Sequence, residues 1–187
     1  MLILYNIYMK TENYRDLENW FGQEVADTVS KLEEEKHGVF LKMGSNSAVV
    51  HIGDEVWKVY KPSIDDRILK RYQRITNEVR RYLRGKDITL PTRETPKKFK
   101  WQDVVPIKDV RRIGSCYIAS SKYISGDTLL SSRDGTHSIY GFLTSISSEL
   151  QQAFNESALS IEPGNVKVTR SGLVLTDVCA NVELLGR

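Results

Sequence analysis

Apolar positions along the chain recur with two different periods, and the places where the period changes mark its elements. Leu17, Trp20, Phe21, Val25, Val29 and Leu32 lie three or four residues apart, which predicts one amphipathic helix from about Thr11 to Lys36. Thr11 or Asn13 is its expected N-cap, Trp20 and Phe21 share its packing stripe, and Gly38 is its stop. Glu33-Glu34-Glu35 opposes the helix dipole, so the last turn is expected to fray. From Val39 to Lys61 the pattern switches to three β-rich runs, separated by Gly44-Ser45-Asn46-Ser47 and Gly53-Asp54-Glu55, which predicts a three-stranded meander. Pro62 closes it. Helical spacing returns from Asp65 to Leu83, with Ile68, Leu69, Tyr72, Ile75, Val79, Tyr82 and Leu83 as the stripe and Gly85 as the stop.

Ile88 to Pro91 then reads as a short strand and Thr92 to Pro106 as a basic loop. Val104 to Ile113 and Gly114 to Ser120 read as two further strands. Ser138 to Glu156 reads as a long helix through Ile139, Phe142, Leu143, Ile146, Leu150 and Phe154. Leu159 to Val168 and Leu173 to Val178 flank the polar turn Thr169-Arg170-Ser171-Gly172, a hairpin pattern.

Composition narrows the class. A chain of 187 residues suffices for one substantial domain, 1–187, and no apolar run approaches the roughly 20 residues of a membrane span. Met1 to Met9 lacks the basic start and small-residue cleavage site of a signal peptide. Cys116 and Cys179 are too few for a disulfide framework, which suits a reducing cytosol, and His37, His51 and His137 lack zinc-site spacing. The net charge of +3 is unevenly spread. Acids outnumber bases ten to five up to Trp57, whereas seventeen Lys/Arg face seven Asp/Glu from Lys58 to Arg112. That positive stretch suits a nucleotide, a nucleic acid or an acidic protein.

The candidate chemistry centres on the hairpin. Asn165 stands before its first strand and Asp177 at the end of its second, so an amide oxygen and a carboxylate return to one place. Hard cations such as Mg²⁺ take oxygen ligands of this kind, one or two from protein and the rest from phosphate or water. An ordinary hairpin with polar ends is the competing reading. Gly44, Ser45, Asn46 and Ser47 form a small-residue loop of the sort that lets backbone N–H groups approach phosphate. Lys58 lies in the third strand on the face of Val56 and Tyr60, as a phosphate partner or as a snorkelling lysine. Glu78 is the one acid on the following helix beyond its capping Asp65 and Asp66, and the remaining charges of that helix form a basic face.

In this order the motifs resemble the protein-kinase superfamily. There a loop D-x-x-x-x-N precedes a hairpin ending in the metal-binding Asp of D-F-G, matched here by Asn165 and Asp177. Lys58 resembles the strand-three lysine, Glu78 its helix partner, and Gly44 to Ser47 a reduced glycine loop. Tyr123-Ile124-Ser125-Gly126 resembles the hinge, whose backbone near Tyr123 and Ile124 would meet an adenine edge. The match runs from about Val39 to Val178. Gly164-Asn165-Val166 and Leu175-Thr176-Asp177-Val178 are similar to the corresponding endings in the early Ser/Thr protein kinases of T7-like bacteriophages. Two departures stand out. Ser160 occupies the catalytic Asp position, with Glu162 as a candidate substitute, and Val178-Cys179 replaces Phe-Gly.

The resemblance implies an α+β, minimal bilobal kinase-like fold. It would have an N-terminal helical extension over 1–37 and an antiparallel five-stranded small lobe over 38–124. A very short helical large lobe with the catalytic-loop hairpin would cover 125–187. With ten residues after Asp177, an activation loop and A-P-E segment are not expected. The resemblance also implies ATP and Mg²⁺ as ligands, a host protein as target, and the cytoplasm of a phage-infected cell as location. With Ser160 in place, phosphotransfer is expected to be weak or lost. The alternative is a non-catalytic basic adaptor that inhibits a host protein or binds nucleic acid through residues 67–112. A large lobe this short implies exposed apolar surface for a host partner or for a second copy in a homodimer.

Overall fold

The computed structural model describes residues 14–90, 97–129, 136–179 and 182–186. Two helices come first, α1 over 14–21 and α2 over Gln23–Lys36. Strands β1 (Val39–Met43), β2 (Ser47–Ile52) and β3 (Glu55–Tyr60) follow, then α3 (Asp66–Leu83). Next are β4 (Asp87–Leu90), β5 (Lys97–Val104), β6 (Ile107–Ile113), β7 (Cys116–Lys122) and β8 (Asp127–Thr128). The helix α4 (Thr136–Phe154) leads to a 3₁₀ turn (Pro163–Asn165), then β9 (Val166–Thr169), β10 (Gly172–Leu175) and a second 3₁₀ turn, Val182–Gly186. The fold is α+β. Its contacts divide it into two compact units, Met1–Leu69 with Lys108–Tyr123, and Lys70–Ile107 with Ile124–Arg187.

The first unit carries the expected five-stranded antiparallel sheet, in the order β1-β2-β3-β7-β6. Pleating sends Ala48, Val50, Trp57, Val59, Cys116 and Ile118 to one face, where Leu17, Phe21, Val25, Ala26, Val29 and Leu32 of the two helices close a single apolar core. The expected continuous helix is broken at Gly22, whose φ of 90° takes the chain out of helical geometry. Leu17 and Phe21 keep their place on the core, but Trp20, expected to pack, is 76% exposed. The expected caps Thr11 and Asn13 lie outside the described residues.

The end of α2 is held rather than frayed. Glu33 accepts a hydrogen bond from the Tyr14 hydroxyl and another from the Phe40 N–H at 3.0 Å, which ties the helix end to both α1 and β1. Burial and the neighbouring Glu33 carboxylate push the Tyr14 phenol well above its ordinary range. His37, at φ 52°, makes the left-handed turn that ends α2. Gly38 is needed for closeness instead, because a Cβ there would lie 2.8 Å from Val50 Cγ1.

The second unit holds a mixed sheet, in the order β4-β5-β10-β9-β8. Its strand β5 corrects the expectation of a loop over Thr92 to Pro106. Trp101 is buried while Lys98 and Lys100 are exposed, so the basic stretch alternates as a half-buried strand should. It pairs antiparallel with β4 and parallel with β10, Trp101 lying beside Leu173 and Val104 beside Leu175. Within α4, Leu143 and Leu150 are buried as expected, and the Ile139 side chain lies outside the described residues. No helix among the described residues is long and apolar enough to cross a membrane.

Candidate functional site

The hairpin of the second unit begins from its turn. Strands β9 and β10 pair antiparallel from Thr169 with Gly172 to Val166 with Leu175. Gly172 has a φ of 143°, and a Cβ there would stand 2.3 Å from the Lys100 carbonyl oxygen of β5. At the open end, the Thr176 N–H and hydroxyl both donate to the Asn165 carbonyl, at 2.8 and 2.9 Å. This pair of hydrogen bonds locks the base of the hairpin and places Asn165 and Asp177 at the same end.

Two segments close around that end. The Ser160 N–H donates to the Val178 carbonyl at 3.0 Å, and Leu159 bridges to Cys179. The stretch before the 3₁₀ turn therefore lies beside the stretch after β10. The Ser160 hydroxyl is buried there with no hydrogen-bond partner. Glu162, the candidate substitute, is exposed, and its carbonyl accepts the Asn165 N–H at 2.9 Å to form the turn. Buried hydroxyls seldom stand alone, and each exception calls for a physical explanation.

Asp177 is held by two donors on one oxygen. The Tyr72 hydroxyl of α3 donates to Oδ1 at 2.5 Å and the Cys179 N–H to the same atom at 3.2 Å. One residue before Tyr72, the Arg71 guanidinium donates to Glu156 Oε2 at 2.6 Å and to the Leu185 carbonyl at 2.7 Å. Glu156, after the end of α4, has a side chain only 8% exposed, so this is a charge kept in the interior by a charge. Arg80, on the same helix, grips Asp103 of β5 through two bonds of 2.6 and 3.0 Å, which pushes its guanidinium pKa up. The expected solvated basic face of α3 thus has two arginines turned to internal work.

The sequence reading missed Tyr72 and Arg71 as polar anchors. Tyr72 fits the apolar stripe and Arg71 the basic face, and both partners lie far along the chain. The one local signal is a tyrosine where phenylalanine or leucine would pack equally well.

The first unit carries the other candidate residues. The Gly44 N–H donates to the Ser47 carbonyl at 2.8 Å and closes the β1–β2 loop. Asn46 and Ser47 are buried and Ser45 is exposed. The Asn46 carbonyl accepts the Lys61 N–H at 3.1 Å, which ties the loop to the end of β3. A Cβ on Gly44 would meet nothing nearer than 3.5 Å, so the loop's own packing does not demand glycine. Lys58 is half-buried in mid-strand between Val49 and Ala119. It points away from the face that α2 covers, since Trp57 and Val59 occupy that face.

Tyr123 follows β7, its ring 4.2 Å from that of His51. Its N–H donates to the Asp54 carbonyl at 2.8 Å. That amide is engaged within the unit. A contact there would fall to other backbone groups near Tyr123 and Ile124. Ile124 and Glu78, both half-buried, belong to the second unit.

Asp177 and Asn165 form the donor set for the implied cation. Among the described residues no three His, Cys, Asp or Glu side chains converge as a metal cage. One carboxylate and one amide at a hairpin base fit Mg²⁺, which keeps water and phosphate ligands and rarely uses an all-protein cage.

No family model matches the sequence, and no curated protein matches it. Among solved structures, the chain is similar to the kinase domain of Mycobacterium tuberculosis PknI. The identity is 15% over 74% of this chain and 55% of that one, with a TM-score of 0.43. A mutant of the same domain matches at 14% identity over 76% of this chain and 57% of that one, also at 0.43. The chain spans a little over half the length of these kinase domains. At that score the likeness assigns neither activity nor ligand.

Proposed function

We propose that this chain is a kinase-like, nucleotide-binding protein in which Ser/Thr phosphotransfer is weak or lost. The observation that carries the reading is the locked base of the hairpin, with Asn165 and Asp177 at one end and Ser160 strapped beside them. In this reading Asn165 and Asp177 hold Mg²⁺ against the phosphates of ATP. The bound ion neutralises charge on the transferring phosphoryl group. Lys58 and the Gly44–Ser47 loop are the first unit's candidates for the phosphates, Glu78 is the partner that the resemblance gives Lys58, and the backbone near Tyr123 and Ile124 is the candidate for the base. The small lobe is the five-stranded sheet and the large lobe is built on the hairpin.

Ser160 sets the limit on chemistry. A kinase orients the substrate hydroxyl and accepts its proton with a carboxylate, and a serine hydroxyl is not ionised near pH 7. General-base catalysis contributes about 10²–10⁴-fold, so its loss raises the barrier by roughly 3–5 kcal/mol at 1.36 kcal/mol per decade. Residual transfer would rest on positioning and charge stabilisation, with Glu162 as the nearest alternative carboxylate in sequence. The finer reading, a phage-encoded protein acting on host proteins, rests on the resemblance of the two hairpin endings. Ser160 also favours a second reading, a basic adaptor that needs no nucleotide.

A thermal-shift titration with ATP and Mg²⁺ tests the proposal. Ligand at about 100 times its dissociation constant adds roughly 2.7 kcal/mol of stability, and absence of any shift favours the adaptor. Radiolabelled transfer assays on the native protein, Ser160→Asp and Glu162→Ala then test the limit. Ser160→Asp is expected to raise transfer. Robust native transfer that ignores Glu162→Ala would show that the base lies elsewhere.

A further inference from the structure

We propose that Tyr72 is a positioning residue for the metal-binding carboxylate, an inference that rests on the nucleotide reading of Asp177. A carboxylate on a single side chain turns freely about its last torsion, so an isolated Asp177 would present its oxygens in many orientations. Here Oδ1 takes two donors from two separate segments, the Tyr72 hydroxyl at 2.5 Å and the Cys179 N–H at 3.2 Å. Together they fix the plane of the group.

The donor is itself immobilised. Tyr72 is 3% exposed, and its helix is pinned one residue earlier by the bonds from Arg71 to Glu156 and to the Leu185 carbonyl. A hydrogen bond from a hydroxyl to an ionised carboxylate belongs to the charge-assisted class. Packing does not account for the hydroxyl, because a phenylalanine ring would fill the same space. Outer partners of metal ligands typically contribute 10–100-fold in metal affinity, and Tyr72 occupies that role toward Asp177.

The test uses the full chain, Mn²⁺ as a spectroscopic probe read by electron paramagnetic resonance, and a non-hydrolysable ATP analogue. Tyr72→Phe is expected to weaken Mn²⁺ binding in the presence of nucleotide by about 10–100-fold and to leave metal-free nucleotide affinity unchanged. p-Aminophenylalanine at position 72 keeps a donor in place and is expected to restore the affinity. In an Asp177→Asn background, Tyr72→Phe is expected to add nothing. Unchanged or tighter Mn²⁺ binding by a folded Tyr72→Phe would overturn the inference, as would equal loss of metal-free affinity or failure of the amino analogue to restore binding. A native protein that binds nucleotide with metal while Tyr72→Phe matches it refutes this inference alone. A native protein that binds neither refutes the nucleotide reading with it.

Discussion

Two glycines on two loops show how differently the two sheets are built. Gly44, in the β1–β2 loop of the first sheet, has open space where a Cβ would go, with its nearest neighbour at 3.5 Å. Gly172, in the β9–β10 turn of the second, has a positive φ and a carbonyl oxygen 2.3 Å from the same point. The first sheet is antiparallel throughout, and its hairpins close by local pairing. The second admits β5 as a parallel neighbour of β10, and that strand's backbone presses on the turn. Gly172 is thus required by its turn, whereas Gly44 leaves open space beside its loop.

The largest expected effect breaks the crowded side. Gly172→Ala places a Cβ into the Lys100 carbonyl and an L-residue at φ 143°. Strain at such a φ costs of order 1–3 kcal/mol and overpacking a similar amount, so a loss of about 3–5 kcal/mol is expected from denaturant unfolding. A loss below about 1 kcal/mol would show that β5 does not lie against the turn.

Next come the two arginines of α3, which separate a buried ion pair from a half-exposed one. Arg71→Ala leaves the Glu156 carboxylate, 8% exposed, without its cation. Breaking a buried pair costs about 3–5 kcal/mol, and the partial exposure of Arg71 brings the expectation to about 2–3 kcal/mol. Arg80 and Asp103 are each about one-third exposed, so Arg80→Ala is expected to cost about 1 kcal/mol or less. Equal losses in chemical denaturation would mean that water reaches Glu156.

What the sequence made legible follows the same division. The meander from Val39 to Tyr60, α3 and the β9–β10 hairpin all advertise themselves through neighbours in sequence. Strand β5 does not. Its lysines and flanking prolines read as a loop, and the partner that makes Trp101 an interior residue is Leu173, far along the chain. Gly22 is a subtler case, because the apolar spacing runs through it unbroken while its φ of 90° ends one helix before the next begins. At the candidate site, hairpin geometry makes the shared end of Asn165 and Asp177 legible in the sequence. Tyr72 is not, since a side chain on an apolar stripe declares its ring and conceals where its hydroxyl points.

Trp20 sharpens the first-unit picture with a near-zero expectation. The break at Gly22 leaves it 76% exposed beside a fully buried Leu17. Trp20→Ser is expected to change stability by no more than about 0.5 kcal/mol, the usual range for surface positions. A loss of several kcal/mol in thermal or chemical unfolding would mean that α1 and α2 run on as one helix with Trp20 on its packing stripe.

A stability effect of the opposite sign belongs to Gly44. Its φ is not in the left-handed region and its surroundings accept a Cβ. Replacing such a glycine by alanine restricts the unfolded chain and stabilises by roughly 0.4–1 kcal/mol. If the loop lies over phosphate as proposed, the same methyl group obstructs the approach of the Gly44–Ser47 backbone to its ligand. Gly44→Ala is therefore expected to unfold at slightly higher denaturant yet bind ATP with Mg²⁺ about tenfold more weakly, a difference of about 1.4 kcal/mol. Parallel unfolding curves and calorimetric titrations on the same preparation read both quantities. A variant that is more stable and binds nucleotide as well as the native chain would leave the Gly44 loop as an ordinary strand connection, and would move the phosphate contacts elsewhere in the protein.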